Sequence, residues 1–468
     1  MSTMFSHETF ISPFTWRYGT EEMREIFSEV HKRRLLRDIW IAIAETQAEV
    51  GLVTTGQIED LKNHRNDIDI ERAAEIEKEI RHDLMAEIKT YAEQCPVGGK
   101  IIHLGATSMD ILDNMDVIRQ KEALDIILKK LSALLSSFAK RIRQEADTAC
   151  MAFTHIQPAE VTTVGYRLAQ TAQDLLDDYT DITAVRDRLK GKGIKGAVGT
   201  AASYAALLEG TDMSARSFEQ KVMKRIGLTA FEGATQVYPR KQDYRIGTVL
   251  AGLCSTIYKF ALDIRMLQTP PIGEWNEPFG DKQVGSSAMP FKRNPINSEK
   301  IDSLCRQAVS TVDTLWHNAS SMILERTLDD SANRRIILPE LLLTCDEVLK
   351  TSQRLIDGLV FNTEMIQRNL ATYGLFAATE RVLMDLGRNG ADRQEMHELI
   401  REYSLSAWPI VMRGEENPLL EMLSSDSEML KYLTQERIVE LMDASEYTGD
   451  AAERAVNIAG SIEEVLSE

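Results

Sequence analysis

The chain has 468 residues, of which 43% are hydrophobic and 27% are charged, and its formal net charge at pH 7 is −18. This length predicts two or three domains, and the composition excludes a disordered chain. The acidic balance argues against a nucleic-acid or anionic-membrane partner, and it requires a locally basic pocket for any polyanionic substrate.

The N-terminal residues and the cysteines predict a reduced, cytoplasmic protein. The first ten residues lack the charged-then-apolar order of a secretory signal, and no apolar run is long enough to span a bilayer. Five scattered cysteines, without a C-x-x-C pair, are expected to be reduced core thiols. They are Cys95, Cys150, Cys254, Cys305 and Cys345. The histidines show no ligand spacing such as H-E-x-x-H, so the sequence predicts neither a metal site nor a cofactor.

Residues 1–112 are predicted to form an N-terminal helical domain. Apolar side chains recur at helical spacing over residues 21–52, and Gly51 is expected to stop that helix. A short aromatic-basic turn with Arg17 and Tyr18 precedes it. Taken alone, this turn would be a packing anchor.

Two segments with histidines follow in the same domain. Arg81, His82 and Asp83 are expected within a helical run after residue 71, where such a triplet is typical of solvated surface charge. His103 lies among apolar residues and leads into a Gly-Ala-Thr-Ser turn that ends at Ser108. This pattern indicates a buried histidine beside hydroxyl groups, and a satisfied core histidine stays open as an alternative.

Residues 113–363 are predicted to form a central domain of long helices. Apolar residues recur at spacings of three and four over residues 116–147, 161–189, 246–267, 301–322 and about 341–361. Nothing here alternates as strands do, and Pro158, shortly after His155, is expected to open the second of these helices. The repetition indicates a parallel-sided bundle and an all-α fold. Apolar residues off the main stripes favour self-association.

Residues 364–468 are predicted to form a third, C-terminal helical domain. Its helices are expected to be shorter, because glycines and a proline interrupt the sequence. These residues are Gly374, Gly387, Gly390, Gly414 and Pro418.

The segment Gly285–Pro295 reads GSSAMPFKRNP, and its two prolines predict a loop of defined shape that leads into a long helix. A hydroxyl from Ser286 or Ser287, the cation of Lys292 and the amide of Asn294 suit a reaction in which negative charge develops. Composition alone leaves open a basic surface loop with a serine turn.

This segment, followed by Glu299, resembles the signature of the fumarase/aspartase superfamily, and its version is most similar to that of the adenylosuccinate lyase family. The resemblance implies elimination of fumarate from adenylosuccinate, giving AMP, and from the succinylaminoimidazole carboxamide ribotide of purine biosynthesis, giving the carboxamide ribotide. It also implies three helical domains around a many-helix core and no cofactor. The implied assembly is a homotetramer whose active sites combine residues of three subunits.

The resemblance also implies the catalytic groups. Ser286 would be the base, Lys292 with Asn294 would hold the substrate carboxylate, and His155, paired with Glu299, would be the acid. Histidine's pKa near neutrality independently suits proton donation at physiological pH. A serine is a poor base unless its alkoxide is stabilised, so the residues alone would favour a histidine as base.

Other matching residues are implied to bind or orient the substrate. Arg326, Ser331 and Arg335 would grip a phosphate together with Arg17 and Tyr18, although composition alone would make their charged loop a solvated one. His82, counted with the catalytic groups, and His103 would orient the substrate near its phosphate and leaving group. The remaining implied contacts are Arg81, Asp83, Thr107, Ser108, Thr154, Gln236, Arg240, Ser287 and Met289.

Three other functions compete with this interpretation. Another fumarate-releasing lyase, such as an argininosuccinate lyase, would leave the phosphate donors Arg326, Ser331 and Arg335 without a partner. A helical scaffold that has lost activity is disfavoured because the catalytic positions are intact. A binding module for anionic metabolites, without turnover, is weaker still.

Overall fold

The structure, a computed structural model, describes residues 8–280 and 282–467. The described residues form α-helices with two short antiparallel sheets of two strands each, which confirms the predicted all-α class. The first seven residues, which enter the prediction of a cytoplasmic location, lie outside the described residues.

The helices lengthen after the first hundred residues. The N-terminal elements are α1 (Glu21–Ile26), α2 (Glu29–Ala48), α3 (Thr55–Asn63), α4 (Ile70–Ile80) and α5 (Asp83–Gln94). The central elements are α6 (Ser108–Gln144), β1 (Ala149–Thr154), β2 (Gln157–Thr163), α7 (Val164–Asp187), α8 (Ala202–Leu207), α9 (Ala215–Arg225), α10 (Lys241–Leu267), β3 (Trp275–Asn276), α11 (Ile296–Ser320) and α12 (Ser331–Gly358). The C-terminal elements are β4 (Val360–Phe361), α13 (Thr363–Arg388), α14 (Arg393–Met412), α15 (Leu419–Ser424), α16 (Gln435–Leu441) and α17 (Ala451–Ser467).

The described chain divides into two compact units. The first unit comprises residues 8–131, Asp178–Ser255 and Ser303–Lys350. The second comprises Ser132–Asp177, Thr256–Asp302 and residues 351–467. The boundaries between the two units fall within five long helices and not at the predicted residues 112 and 363. These helices are α6, α7, α10, α11 and α12. The three-domain boundaries therefore stay a prediction.

The long helices agree with the periodicity of the sequence. Helix α6 has 37 residues and α10 has 27, and the predicted stripe of α10, including Ile246, Leu250 and Leu253, is buried. Helix α10 is also long and apolar enough to cross a membrane by composition, which corrects the expectation that no such run exists. The same composition is expected of a core helix, and the buried stripe favours that interpretation.

The segment around His155 forms a β-hairpin, so the prediction that Pro158 opens a helix is wrong. Strands β1 and β2 pair antiparallel, Pro158 lies opposite Phe153 next to an irregularity in the register, and α7 begins only at Val164. Val161 of β2 lies three residues before Val164 and seven before Leu168 of α7, a spacing that also fits a helix, which explains the error.

Four other predicted helices also differ from the structure. The helix predicted over residues 21–52 is interrupted between α1 and α2, where Ser28 caps the start of α2. Arg81, His82 and Asp83 do not lie within one helix: Arg81, at φ 56°, ends α4, and His82 caps α5. Helix α12 begins ten residues earlier than expected and continues through Pro339. Helix α13 runs for 26 residues through two glycines. At Gly374 a Cβ would lie 2.7 Å from the Ala444 Cβ, so close packing explains this glycine inside a helix.

All five cysteines are buried and none forms a disulfide, as predicted. In the second unit, α13 packs against the β1–β2 hairpin, and Met151 and Val161 of the hairpin belong to a buried apolar cluster with residues of α13 to α16. The hairpin therefore stands on a packed core.

Candidate active site

His155 lies at the tip of the β1–β2 hairpin. Thr154 pairs with Gln157, so His155 and Ile156 form a two-residue turn, and their φ angles are 54° and 61°. Two-residue hairpins favour such angles, but Asn-Gly is the usual sequence there, and positive φ is costly for a β-branched residue. The exposed His155 is therefore held outward by a strained backbone, which is typical of functional positions.

A buried carboxylate connects this hairpin to the segment that precedes the signature loop. Arg167 on α7 donates to the Met151 carbonyl in β1, and its Nη1 donates to Glu274 Oε2 at 3.0 Å. Glu274 is fully buried, and its Oε1 accepts a hydrogen bond from Asn369 Nδ2 at 3.0 Å. Glu274 thus fixes the position of the hairpin relative to the start of the loop.

The signature loop Gly285–Pro295 closes on itself around Ser286. Ser286 Oγ accepts hydrogen bonds from the Ala288 and Met289 N–H groups at 3.3 and 3.1 Å. Asn294 Nδ2 donates to the Gly285 carbonyl at 3.0 Å, and a Cβ at Gly285 would lie 2.0 Å from the Lys292 carbonyl oxygen, so only glycine fits. Two backbone donors on one hydroxyl oxygen favour negative charge there, as a serine base requires.

The remaining predicted residues of this region are exposed, either on the signature loop or in the first turn of α11. Ser287, Met289 and Lys292 are exposed, and Glu299 is exposed in the first turn of α11. Glu277, which is buried, accepts from the Asn297 and Ser298 N–H groups at 3.1 and 2.6 Å and so caps α11. Within the described part of one chain, no hydrogen bond joins His155 to Glu299.

In the first unit, a cavity of about 630 Å³ contains the predicted phosphate donors. Its lining includes Arg326, Ser331 and Arg335 together with Asp83. Arg335 Nη2 donates to Asp83 Oδ2 at 2.8 Å. Burial raises the pKa of Asp83, but the Leu84 N–H and the Arg335 cation outweigh it and hold the pKa below its usual value.

The turn with Arg17 and Tyr18 is anchored by two buried carboxylates of α12. The Gly19 N–H donates to Glu347 at 3.1 Å, and the Thr20 N–H donates to Asp346 at 2.6 Å. The Arg17 guanidinium is exposed and lies 5.8 Å from the Tyr18 ring centroid.

The two predicted histidines of the first unit have different environments. His82 is exposed, and its Nδ1 accepts a hydrogen bond from the Met85 N–H at 3.3 Å. His103 is half-buried, and its Nδ1 faces the Trp40 indole N–H at 3.2 Å. Burial lowers the pKa of His103, so it is neutral with the proton on Nε2, which can donate.

Thr107 and Ser108 are held beside a glycine-rich loop, residues 191–199, that follows α7. The buried Asp110 accepts from the Thr107 N–H at 3.0 Å and from the Lys195 and Gly196 N–H groups at 3.1 Å. The buried Lys192 ammonium also donates to Asp110. The density of glycines over residues 191–199 was the signal that could have identified this loop.

Gln236 and Arg240 differ in accessibility, since Gln236 is half-buried and Arg240 is buried. The Gln236 N–H donates to the Glu325 carbonyl at 3.2 Å, so this segment lies beside the loop that carries Arg326. Arg240 is buried, and its guanidinium binds Asp113 and Asp330. The structure thus gives Arg240 two carboxylate partners within the protein.

Two family models match this chain over separate ranges of residues. A family described as "Lyase" matches residues 20–310, and a family described as "Adenylosuccinate lyase C-terminus" matches residues 376–456. Adenylosuccinate lyase of Schistosoma mansoni is 39% identical over 428 residues, which cover 90% of this chain and 89% of that protein. The chain belongs to the adenylosuccinate lyase family.

Other members of the adenylosuccinate lyase family match over nearly the whole chain. The Saccharomyces cerevisiae enzyme is 36% identical, covering 96% of this chain and 94% of that protein, and the Pyrococcus abyssi enzyme is 36% identical, covering 97% and 98%. Among solved structures, 3-carboxy-cis,cis-muconate lactonizing enzyme from Pseudomonas putida has a TM-score of 0.84 at 22% identity, covering 97% of this chain and 99% of that one. This structural likeness shows that the two chains share a fold.

Proposed function

We propose that this protein cleaves adenylosuccinate to AMP and fumarate, and that it performs the parallel elimination on succinylaminoimidazole carboxamide ribotide. The observation that carries the substrate assignment is the cavity of the first unit, where Arg326, Ser331 and Arg335 converge. Two guanidinium groups and a hydroxyl suit a phosphate, which argininosuccinate lacks. The predicted carbon–nitrogen lyase activity agrees with membership of the family.

The reaction needs a base, an acid and a group that stabilises a carbanion. Ser286 removes the proton from the carbon beside the substrate carboxylate, and Lys292 with Asn294 holds that carboxylate as it becomes dianion-like. The electron pair of the C–H bond then forms the C=C bond of fumarate. The pair of the C–N bond passes to the leaving nitrogen, which receives a proton from His155.

The hydrogen bonds of the signature loop support Ser286 as the base. Its Oγ accepts hydrogen bonds from two backbone N–H groups, at 3.3 and 3.1 Å. These donors lie where the alkoxide charge would develop, so they stabilise the charged form more than the neutral hydroxyl. The Lys292 cation on the same loop adds to this preference.

The active enzyme is proposed to be a cytoplasmic homotetramer with sites shared between subunits. Large apolar side chains are exposed beside the predicted catalytic and binding residues: Ile156 is 64% exposed, Phe291 82% and Leu328 70%. Exposed apolar groups next to functional residues are typical of surfaces that another subunit covers. Sites completed by other subunits would bury these side chains and exclude water from the reaction.

The first experiment is an ultraviolet assay of the purified protein with adenylosuccinate, with argininosuccinate and fumarate plus ammonia as controls. Loss of adenylosuccinate with formation of AMP and fumarate is expected. Turnover of a control alone would change the substrate but keep the superfamily. No turnover of any of the three would favour a scaffold.

Shared sites are tested by mixing the inactive variants Ser286→Ala and His155→Ala. If these residues come from different subunits, random exchange should restore about a quarter of the native sites. No recovery after subunit exchange, verified by native mass spectrometry, would mean that each subunit builds its own site.

A further inference from the structure

A buried chain of ion pairs lies beneath the cavity of the first unit. Arg240 is its centre: Nη1 and Nη2 donate to Asp113 at 3.1 and 3.0 Å, and Nε donates to Asp330 Oδ2 at 2.6 Å. The side chains of Arg240, Asp113 and Asp330 are at most 1% exposed. We call these three residues the Arg240 cluster.

Arg326 is attached to this cluster from the cavity side. Its Nη1 donates to Asp330 Oδ1 at 2.8 Å, so each oxygen of Asp330 binds a different arginine. The Arg326 side chain is 15% exposed and lines the cavity. Burial raises the pKa of Asp330, but the cations of Arg240 and Arg326 outweigh it and hold the pKa below its usual value. The carboxylate is therefore charged when it binds Arg326.

Arg240 itself is enclosed on its other sides. Its guanidinium lies 4.5 Å from the centroid of the Tyr238 ring, and the Tyr238 N–H donates to Asp113 Oδ2 at 2.8 Å. Two carboxylates bind the nitrogens of its guanidinium, and the buried Tyr238 ring lies against it. The Arg240 side chain is therefore not accessible to a substrate. Arg240 is instead connected to the cavity indirectly, because Arg240 and Arg326 both donate hydrogen bonds to Asp330.

We propose that Arg240 and Asp330 are positioning residues that aim Arg326 at the substrate phosphate, so that Arg240 influences binding without touching the substrate. This inference rests on the proposed function. An arginine side chain has many rotamers, and holding one of them before the ligand arrives reduces the entropy lost on binding. Asp330 directly precedes Ser331, the first residue of α12, and its carbonyl accepts a hydrogen bond from the Arg334 N–H at 3.0 Å.

The test is a double-mutant cycle between Arg240→Lys and Arg326→Ala, measured as kcat/KM for adenylosuccinate. Lysine keeps the charge but lacks the planar fork that donates to both oxygens of Asp113 while Nε binds Asp330, so Arg240→Lys should lower kcat/KM about tenfold through KM, with kcat nearly unchanged. In the Arg326→Ala background, Arg240→Lys should have no further effect. Multiplication of the two losses would show an independent contact and overturn the proposal.

Succinyladenosine, which lacks the phosphate, gives a second readout. The kcat/KM of Arg240→Lys on this substrate should equal that of the unmodified protein. An equal loss on both substrates would mean general disruption of the site and would also overturn the proposal. Thermal unfolding of each variant shows whether it is folded. If Arg240→Lys does not fold, Asp330→Asn takes its place in the same double-mutant cycle.

Arg37→Lys is the matched control. Arg37 is another buried arginine of the first unit, with Nε donating to Glu87 at 3.1 Å, and it does not line the cavity of Arg326. It should lower the unfolding temperature without changing the ratio of kcat/KM between the two substrates.

An unmodified protein that does not turn over adenylosuccinate would refute the proposed function, whereas an active protein with multiplicative losses would refute the positioning alone.

Discussion

The cavity of the first unit, which we propose binds the substrate phosphate, and the hairpin and signature loop of the second unit order their predicted functional groups by different means. In the cavity, cationic side chains are held by carboxylates, as Arg326 is by Asp330 and Arg335 by Asp83. In the second unit, backbone geometry holds His155 and Ser286, through a strained turn and through two N–H donors. The difference matches the chemistry: a binding cation can share its charge with a carboxylate, whereas an acid or base must keep its proton-transfer atom available.

Both regions nevertheless depend on a buried carboxylate. Asp330 supports Arg326 in the first unit, and Glu274 supports the hairpin in the second. Each of these two carboxylates is buried, with at most 1% of its side chain exposed. Substitutions at the functional atoms should therefore change rates, while substitutions at the supports should also change stability.

The largest effect is expected for Ser286→Ala. Removing the general base should lower kcat by about a thousandfold or more, while saturable binding of adenylosuccinate remains, because the phosphate cavity is unchanged. Stopped assays for fumarate and calorimetric binding measure the two quantities. Ser287→Ala, which changes the exposed neighbouring hydroxyl, should lose less activity. Equal losses for the two variants would remove the special role of Ser286.

His155→Asn should lower kcat by at least about a hundredfold, because it removes the general acid. Asparagine tolerates positive φ, so the turn is expected to persist and the thermal midpoint to stay near its original value. Rate assays and thermal unfolding separate these effects. A loss below tenfold would place the acid function on another residue.

Glu274→Gln should destabilise the second unit by about 2–3 kcal/mol, since it leaves Arg167 without its buried counter-charge. Chemical denaturation measures the free energy of unfolding, and the rate of fumarate release should fall as the hairpin and loop lose their common support. Glu463→Gln, in the exposed pair with Arg143, is the control and should change stability little. Equal destabilisation by both variants would contradict a supporting role for Glu274.

The smallest effect is expected for the pH dependence of stability at His103. Burial lowers its pKa in the folded protein, so the unfolded chain binds a proton as pH falls through about 6.5 while the folded chain does not. Stability is therefore lost on acidification through that range. His103→Gln, whose side-chain oxygen can accept from Trp40, should lose less stability between pH 8 and pH 5.5. Identical pH profiles by thermal unfolding would show that His103 does not contribute.

The sequence predicted the elements whose pattern is long or specific. Helices α6 and α10 follow from apolar spacing maintained over many turns, and the loop Gly285–Pro295 follows from its prolines and its resemblance to a family signature. Short elements were less certain. The hairpin around His155 was missed because two strands of six and seven residues give too little alternation to outweigh a helical spacing.

The sequence by itself therefore determined the all-α class, the family signature and the identity of the candidate catalytic residues. Tertiary structure alone decided which of these residues are exposed and which are held inside. Arg240 and Asp113 are 127 positions apart, and no local pattern indicates that their side chains form a buried pair. Burial and ion pairing depend on contacts between distant segments, whereas helical periodicity depends on neighbours within a few residues.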